Sequence, residues 1–162
     1  MAIFRKPNEA TEPHIRPATA HDVAGITQIV DDAYRHYIPR MGRPPAPMLD
    51  DYAARVSEGV VSVVEEGDIV RGVLVLLPEP DHLLLENIAV DPEYRGTGLG
   101  RLLLAFAEAE ARRQGYRELR LYTHETMIEN QRLYARIGYE ETGRGTEAGF
   151  ARVFFRKRLG EI

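Results

Sequence analysis

Alternating apolar strands and amphipathic helices predict an α+β fold, seven strands and about four helices in the order β-α-α-β-β-β-α-β-α-β-β. Three features carry this prediction: a Val-rich hairpin pattern before residue 78, an apolar strand at 82–90, and a Leu- and Ala-rich helix at 99–114. The chain has 162 residues, about one domain's length. No internal repeat or long linker divides it. Residues 1–12 are expected to form a flexible tail and 13–162 a single domain.

The folded part is predicted to begin with a short strand at His14-Ile15-Arg16-Pro17. Thr19 with Asp22 three residues later resembles a capping box. Val23, Ile26, Val30, Ala33, Tyr34 and Tyr37 then recur at helical spacing, and Pro39 is expected to stop that helix. Three prolines and a glycine in Arg40–Pro47 (RMGRPPAP) predict a stiff, non-helical connector, with a short helix at 48–57 after it. Strands are predicted at 59–65 and 69–77, joined through Glu66-Gly67-Asp68. The consecutive Leu83, Leu84 and Leu85 suggest a central strand buried on both faces. After the 99–114 helix come a strand at 119–123 and a helix through Ile137 opened by a Thr126–Glu129 capping box. Strands at 139–142 and 151–159 close the chain, joined by a glycine-rich loop at 143–149.

With 21 Lys and Arg against 25 Asp and Glu, the net charge is -4. That argues against a general nucleic-acid binder, although it allows a local basic groove. There are no cysteines, which removes disulfides, zinc-thiolate sites, Fe–S clusters and a thiol nucleophile. No apolar run reaches the roughly 18 residues of a spanning helix. The N-terminus lacks the apolar core and cleavage site of a secretory signal, so a cytoplasmic location without membrane attachment is expected.

The chemistry concentrates in Glu86–Leu103, ENIAVDPEYRGTGLGRLL. An apolar strand runs into Asp91-Pro92, and Arg95-Gly96-Thr97-Gly98-Leu99-Gly100 opens a long helix. Glycines there let backbone approach a ligand closely. The first amides of the helix have no intrahelical partners, and the helix dipole favours negative charge at that end, so the segment suits phosphate. Arg95 and Arg101 add positive charge. A Rossmann site would need G-x-G-x-x-G, whereas these glycines fall as G-x-G-x-G. A P-loop would end in G-K-[ST], but Gly100 is followed by Arg101 and Leu102. A glycine-rich helix start with no ligand is the remaining alternative.

Ile88–Gly100 resembles the acetyl-CoA signature [RQ]-x-x-G-x-[GA] of the GNAT (Gcn5-related N-acetyltransferase) superfamily, filled by Arg95, Gly98 and Gly100. Asn130–Tyr139 (NQRLYARIGY) resembles the same family's second CoA motif, and the element order matches from about His14 to Leu159. The resemblance implies the GNAT fold: α/β/α layers around a mixed central sheet splayed between strands 4 and 5. It implies acetyl-CoA as cosubstrate, no metal, and N-acetyltransferase activity on an amine. A bulge in the fourth strand would free the amides of Ile88, Ala89 and Val90 for the pantetheine arm and thioester carbonyl. The pyrophosphate would lie on Gly96, Thr97, Gly98, Leu99, Gly100 and Arg101.

The resemblance also makes Tyr134 the donor of a proton to the departing thiolate; a rim or core aromatic is the alternative. Asn130, one helical turn earlier, faces the same side and would contact the cofactor. The family often has an Asn where this chain has Met127. Glu86 is the leading general base, a carboxylate in an otherwise apolar strand, with a purely structural pairing as the alternative. His124 and Glu125 stand second. The acceptor pocket would be lined by Tyr34, Tyr37, Arg40, Met41, Arg43 and Met48, whose arginines hint at a substrate carboxylate. The expected acceptor is a small-molecule amine attacked in a ternary complex. A protein lysine or N-terminal acetyltransferase and a non-catalytic acyl-CoA-binding regulator are the alternatives. The last hairpin offers an edge for a homodimer.

Overall fold

The computed structural model describes residues 12–160, so the expected tail, except Glu12, lies outside the described residues. The strands are β1 (His14–Pro17), β2 (Val61–Glu66), β3 (Ile69–Pro78), β4 (Leu83–Val90), β5 (Glu118–His124), β6 (Glu140–Glu147) and β7 (Phe150–Arg158). They form one seven-stranded sheet in the order β1-β2-β3-β4-β5-β7-β6. Among the described residues, only the β4–β5 pair is parallel; the others are antiparallel. The helices are α1 (Val23–Tyr34), α2 (Ile38–Met41), α3 (Tyr52–Ser57), α4 (Leu99–Arg113) and α5 (Ile128–Arg136).

Helices cover both faces of the sheet. Val73 and Val75 of β3 pack with Ile26, Val30 and Tyr52 of α1 and α3. The intervening Leu74 and Leu76 join Leu103, Ala107 and Ala111 of α4 on the opposite face. This period-2 split buries β3 on both sides, the environment expected of β4. In β4, fully buried and half-buried residues alternate instead. Gly72 sits where the core leaves no room for a side chain. A Cβ there would stand 2.9 Å from Val64 Cγ1, 3.1 Å from the Ala89 carbonyl oxygen and 3.2 Å from Leu103 Cδ1. Gly72→Ala is therefore expected to destabilise the fold by about 1–3 kcal/mol through overpacking. An unchanged urea midpoint would show that the core can relax there.

At the N-terminal edge, Arg16 donates two hydrogen bonds to Asp22, at 2.8 and 3.0 Å. The Thr19 amide donates a third, at 2.7 Å. The Arg16 guanidinium foremost holds the Asp22 carboxyl down, to about 2. A depressed carboxyl stabilises the fold above its unfolded value near 3.8, and that stability is lost as pH falls toward 2. Asp22→Asn should thus be less stable than the parent at pH 6 by about 2 kcal/mol. The gap should close between pH 4 and 2 in chemical denaturation; a pH-independent gap would assign the loss to packing.

Four local predictions need correction. Pro39 does not stop the first helix. A 3-10 turn at Arg35–Tyr37 follows α1, and Pro39 stands in the first turn of α2, where a missing N–H costs no helical bond. Arg40 and Met41 are accordingly helical, ahead of Gly42 in the left-handed region at φ 72°. The Thr126–Glu129 capping box does not form: Met127 occupies the cap, Thr126 turns to His124, and Glu129 turns to Arg40. The glycine-rich stretch is not a loop but part of β6, with the turn reduced to Ala148 and Gly149, both at positive φ.

Candidate active site

β4 and β5 pair only over Leu83–Leu85 and Leu119–Leu121, and beyond Leu85 their pairing ends. At that point the β3–β4 register shifts: Leu76 pairs with Leu85 and Val75 with Asn87, leaving Glu86 as an extra residue. The bulge reverses the side-chain parity of β4. Leu83 and Leu85 pack toward α4, as do Ile88 and Val90 beyond it, whereas Ala89 packs toward α1. The Asp91 amide donates to the Arg71 carbonyl of β3, 2.8 Å away. Strict antiparallel alternation gives Ala89 the same direction and turns the Ile88 and Val90 amides toward the open gap. Of the three expected donors, Ala89 is thus committed to β3.

A groove runs from this gap to the start of α4, lined by Arg95, Gly96, Gly98, Gly100 and Arg101. Gly96 and Gly98 lie at φ 77° and 93°, a left-handed conformation that favours glycine. Among the described residues, nothing stands within 4 Å of where a Cβ of Gly96, Gly98 or Gly100 would project, so the backbone faces open space. Leu102 is the first residue of α4 whose amide bonds within the helix, to the Gly98 carbonyl at 3.0 Å. The earlier amides remain available. Open backbone, orphan amides and two arginines are a donor set suited to phosphate esters. Thr97 and Leu99 do not line the groove: the Thr97 hydroxyl donates to the Tyr94 carbonyl, and the Leu99 side chain is buried in the core. Leu99 can offer only its amide.

A second cavity lies on the other side of the gap, walled by Pro45, Ala46 and Pro47 of the connector and by Glu86, Tyr122 and Arg152. Tyr34, Ile88, Asn130 and Tyr134 line both spaces and mark their junction. The Tyr34 hydroxyl is 2.8 Å from Asn87 Oδ1 and 3.0 Å from the Ile88 carbonyl oxygen. Asn87 Nδ2 donates to the Tyr52 hydroxyl, which donates to the Pro47 carbonyl. This chain of hydrogen bonds ties α1, α3 and the connector to β4 just past the bulge, making the wall rigid.

Glu86 lines the cavity, accepting a hydrogen bond from the Tyr122 hydroxyl at 2.9 Å, with Arg55 3.9 Å away. Burial, chiefly, raises the Tyr122 phenol above its ordinary range, so it stays a donor to Glu86. Tyr134 is 7% exposed, and burial pushes its phenol up to about 12. Its ring packs on Tyr139 and Phe155, and its side chain lines both the groove and the cavity. It is a protonated phenol held at the junction.

His124 also lines the cavity, and burial lowers its pKa, favouring the neutral ring. The Thr126 amide donates to its Nδ1 at 3.2 Å. The ring proton therefore sits on Nε2, which leaves no free lone pair for a substrate proton. Glu125 is exposed and lines neither space. Glu86 remains the carboxylate in position.

Of the expected acceptor residues, Tyr34 and Met41 line the second cavity. Tyr37 faces the α4 groove instead. Arg40 lines neither, because its guanidinium binds Glu129 at 2.8 and 2.9 Å, clasping α2 to α5. Arg43 stacks on Phe150 at 4.0 Å, and Met48 packs against the α1 side of the core. Sequence reasoning missed Asn87, Tyr122 and Arg152. Asn87 was visible as the amide inside an apolar strand. Tyr122 shares a strand face with His124 by period-2 spacing. Arg152 carried no signal, since its role depends on strand pairing across the sheet.

The Acetyltransferase (GNAT) family model matches residues 24–139. The chain belongs to this family. It is 40% identical over 65 residues to the N-alpha-acetyltransferase 80 of Mus musculus, covering 40% of this chain and 19% of that protein. It is 33% identical over 117 residues to the amino-acid acetyltransferase of Ralstonia nicotianae, covering 70% of this chain. The chain spans only 24% of that second relative's length. The paia N-acetyltransferase of Thermoplasma acidophilum, solved in complex with coenzyme A, shares the fold with a TM-score of 0.75 at 15% identity. That match covers 91% of this chain and 99% of the other.

Proposed function

We propose that residues 13–162 form one N-acetyltransferase domain that moves an acetyl group from acetyl-CoA to the primary amine of a small molecule, by direct attack in a ternary complex. One observation carries this: a phosphate-suited groove and a walled cavity enter the sheet gap from two sides and share Tyr34, Ile88, Asn130 and Tyr134. When bound, acetyl-CoA supplies the thioester that the amine attacks. The amides from Gly96 to Arg101, with both arginines, bind the phosphates. The Ile88 and Val90 amides orient and polarise the carbonyl, the preorganised electrostatic contribution that is usually largest in acyl transfer. Glu86 takes the ammonium proton, directly or through water, and Tyr134 Oη gives a proton to the leaving sulfur. No cysteine is present to carry an acyl intermediate.

The prolyl wall supports a small acceptor over an open peptide groove. The two relatives above are named for an Nα-acetyltransferase and an amino-acid acetyltransferase, so the test spans both kinds of acceptor. Thiol release from acetyl-CoA is followed against simple amines, amino acids and basic peptides. Turnover on a small amine supports the proposal. Turnover confined to peptides would move the acceptor to protein, and acetyl-CoA binding with no turnover would favour an acyl-CoA-binding regulator.

A further inference from the structure

The geometry points to a zwitterion as the acceptor: an amine that also carries a carboxylate, with Arg152 as the specificity-determining residue. This rests on the acetyl-transfer reading of the same cavity. Arg152 stands in the cavity wall with its side chain 13% exposed and its guanidinium 4.0 Å above the Tyr122 ring. One nitrogen binds Glu147 at 2.7 Å; among the described residues, its other donors have no protein acceptor. The Phe150 ring next to it carries Arg43 at 4.0 Å and Arg152 at 5.9 Å. Among the described residues Arg43 has no carboxylate partner, so around the Phe150 ring, beside the cavity, two guanidiniums stand against the single carboxylate of Glu147, and Arg152 is the one that lines the cavity.

The other end has the opposite balance. Glu86 lies 3.9 Å from Arg55, which also pairs with Asp50 at 3.2 Å and Glu58 at 3.5 Å. Glu86 is the one carboxylate in the cavity lining, and behind it Asp50 and Glu58 share the same guanidinium. The Tyr122 side chain separates the two ends, its ring under Arg152 and its hydroxyl on Glu86. A ligand with an ammonium at Glu86 and a carboxylate at Arg152 would satisfy both ends, and charge-assisted hydrogen bonds to a fixed guanidinium are the strong kind. An α-amino acid has that form. A peptide's N-terminus, with an amide in place of the carboxylate, does not.

The test compares α-amino acids with their carboxamides as acceptors, by thiol release from acetyl-CoA. The acid should exceed its amide by about tenfold or more in kcat/KM, as expected when a hydrogen-bonding partner goes unmatched. Arg152→Met should raise KM for the acid by a similar factor, leave the amide within about twofold, and keep acetyl-CoA binding as proof of folding. Arg152→Lys should retain part of the preference. Glu147→Gln removes the competing carboxylate and should lower KM for the acid. Equal use of acid and amide, an amide preference, or equal effects of Arg152→Met on both would overturn the proposal. If no amine of any kind is acetylated, the acetyl-transfer reading fails by itself. Calorimetric titration of acid and amide into the CoA-saturated protein then decides the zwitterion: binding of the acid alone sustains it, and equal or absent binding overturns it.

Discussion

Tyr134→Phe should lower kcat about a hundredfold and leave acetyl-CoA affinity unchanged, the effect of losing one positioned general acid. The ring is held by Tyr139 and Phe155, at centroid distances of 5.7 and 6.0 Å, and phenylalanine keeps both contacts. Only the hydroxyl is lost. Burial keeps that phenol protonated across the neutral range, so the group arrives at the junction as a donor. Stopped-flow or steady-state thiol release gives kcat, and calorimetry gives the affinity. A variant with full turnover would remove Tyr134 from the proton path and leave it as a packing aromatic.

Glu86→Gln should lower kcat/KM by a comparable factor, again about a hundredfold. Glutamine keeps the shape and can still accept from the Tyr122 hydroxyl, so the bulge and the cavity wall should survive. What disappears is the carboxylate's capacity to take the ammonium proton. His124 cannot replace it while Thr126 occupies Nδ1. A variant that keeps the parent's kcat/KM would show that the proton leaves by another route.

The glycine-rich segment was legible because a left-handed backbone and an open phosphate cradle leave a mark in composition: Gly96 and Gly98 sit at the positive φ values that their identity suggests. The seven strands were legible for the related reason that most have a buried face. β6 was misplaced because it has none. Its residues Glu140–Glu147 are all exposed, so ETGRGTE shows no alternation and its glycines look like a loop. The bulge hid in plain view: Glu86 and Asn87 interrupt the apolar run, but only pairing with β3 shows which is the extra residue. Arg40 was assigned to substrate and Arg152 overlooked for one reason. An arginine's role depends on the carboxylate it meets, and Glu129 and Glu147 reach them through tertiary contacts that sequence spacing does not encode.

The central claim is that the gap between β4 and β5 binds acetyl-CoA along the α4 groove. Calorimetric titration of the protein with acetyl-CoA tests it most directly, with Gly98→Val titrated beside it. A side chain at Gly98 would enter the open groove from a residue at φ 93°, in front of the first α4 amides. Saturable one-to-one binding by the parent and its loss in the folded variant is the predicted result. No binding by the parent, or equal binding by both proteins, would contradict it.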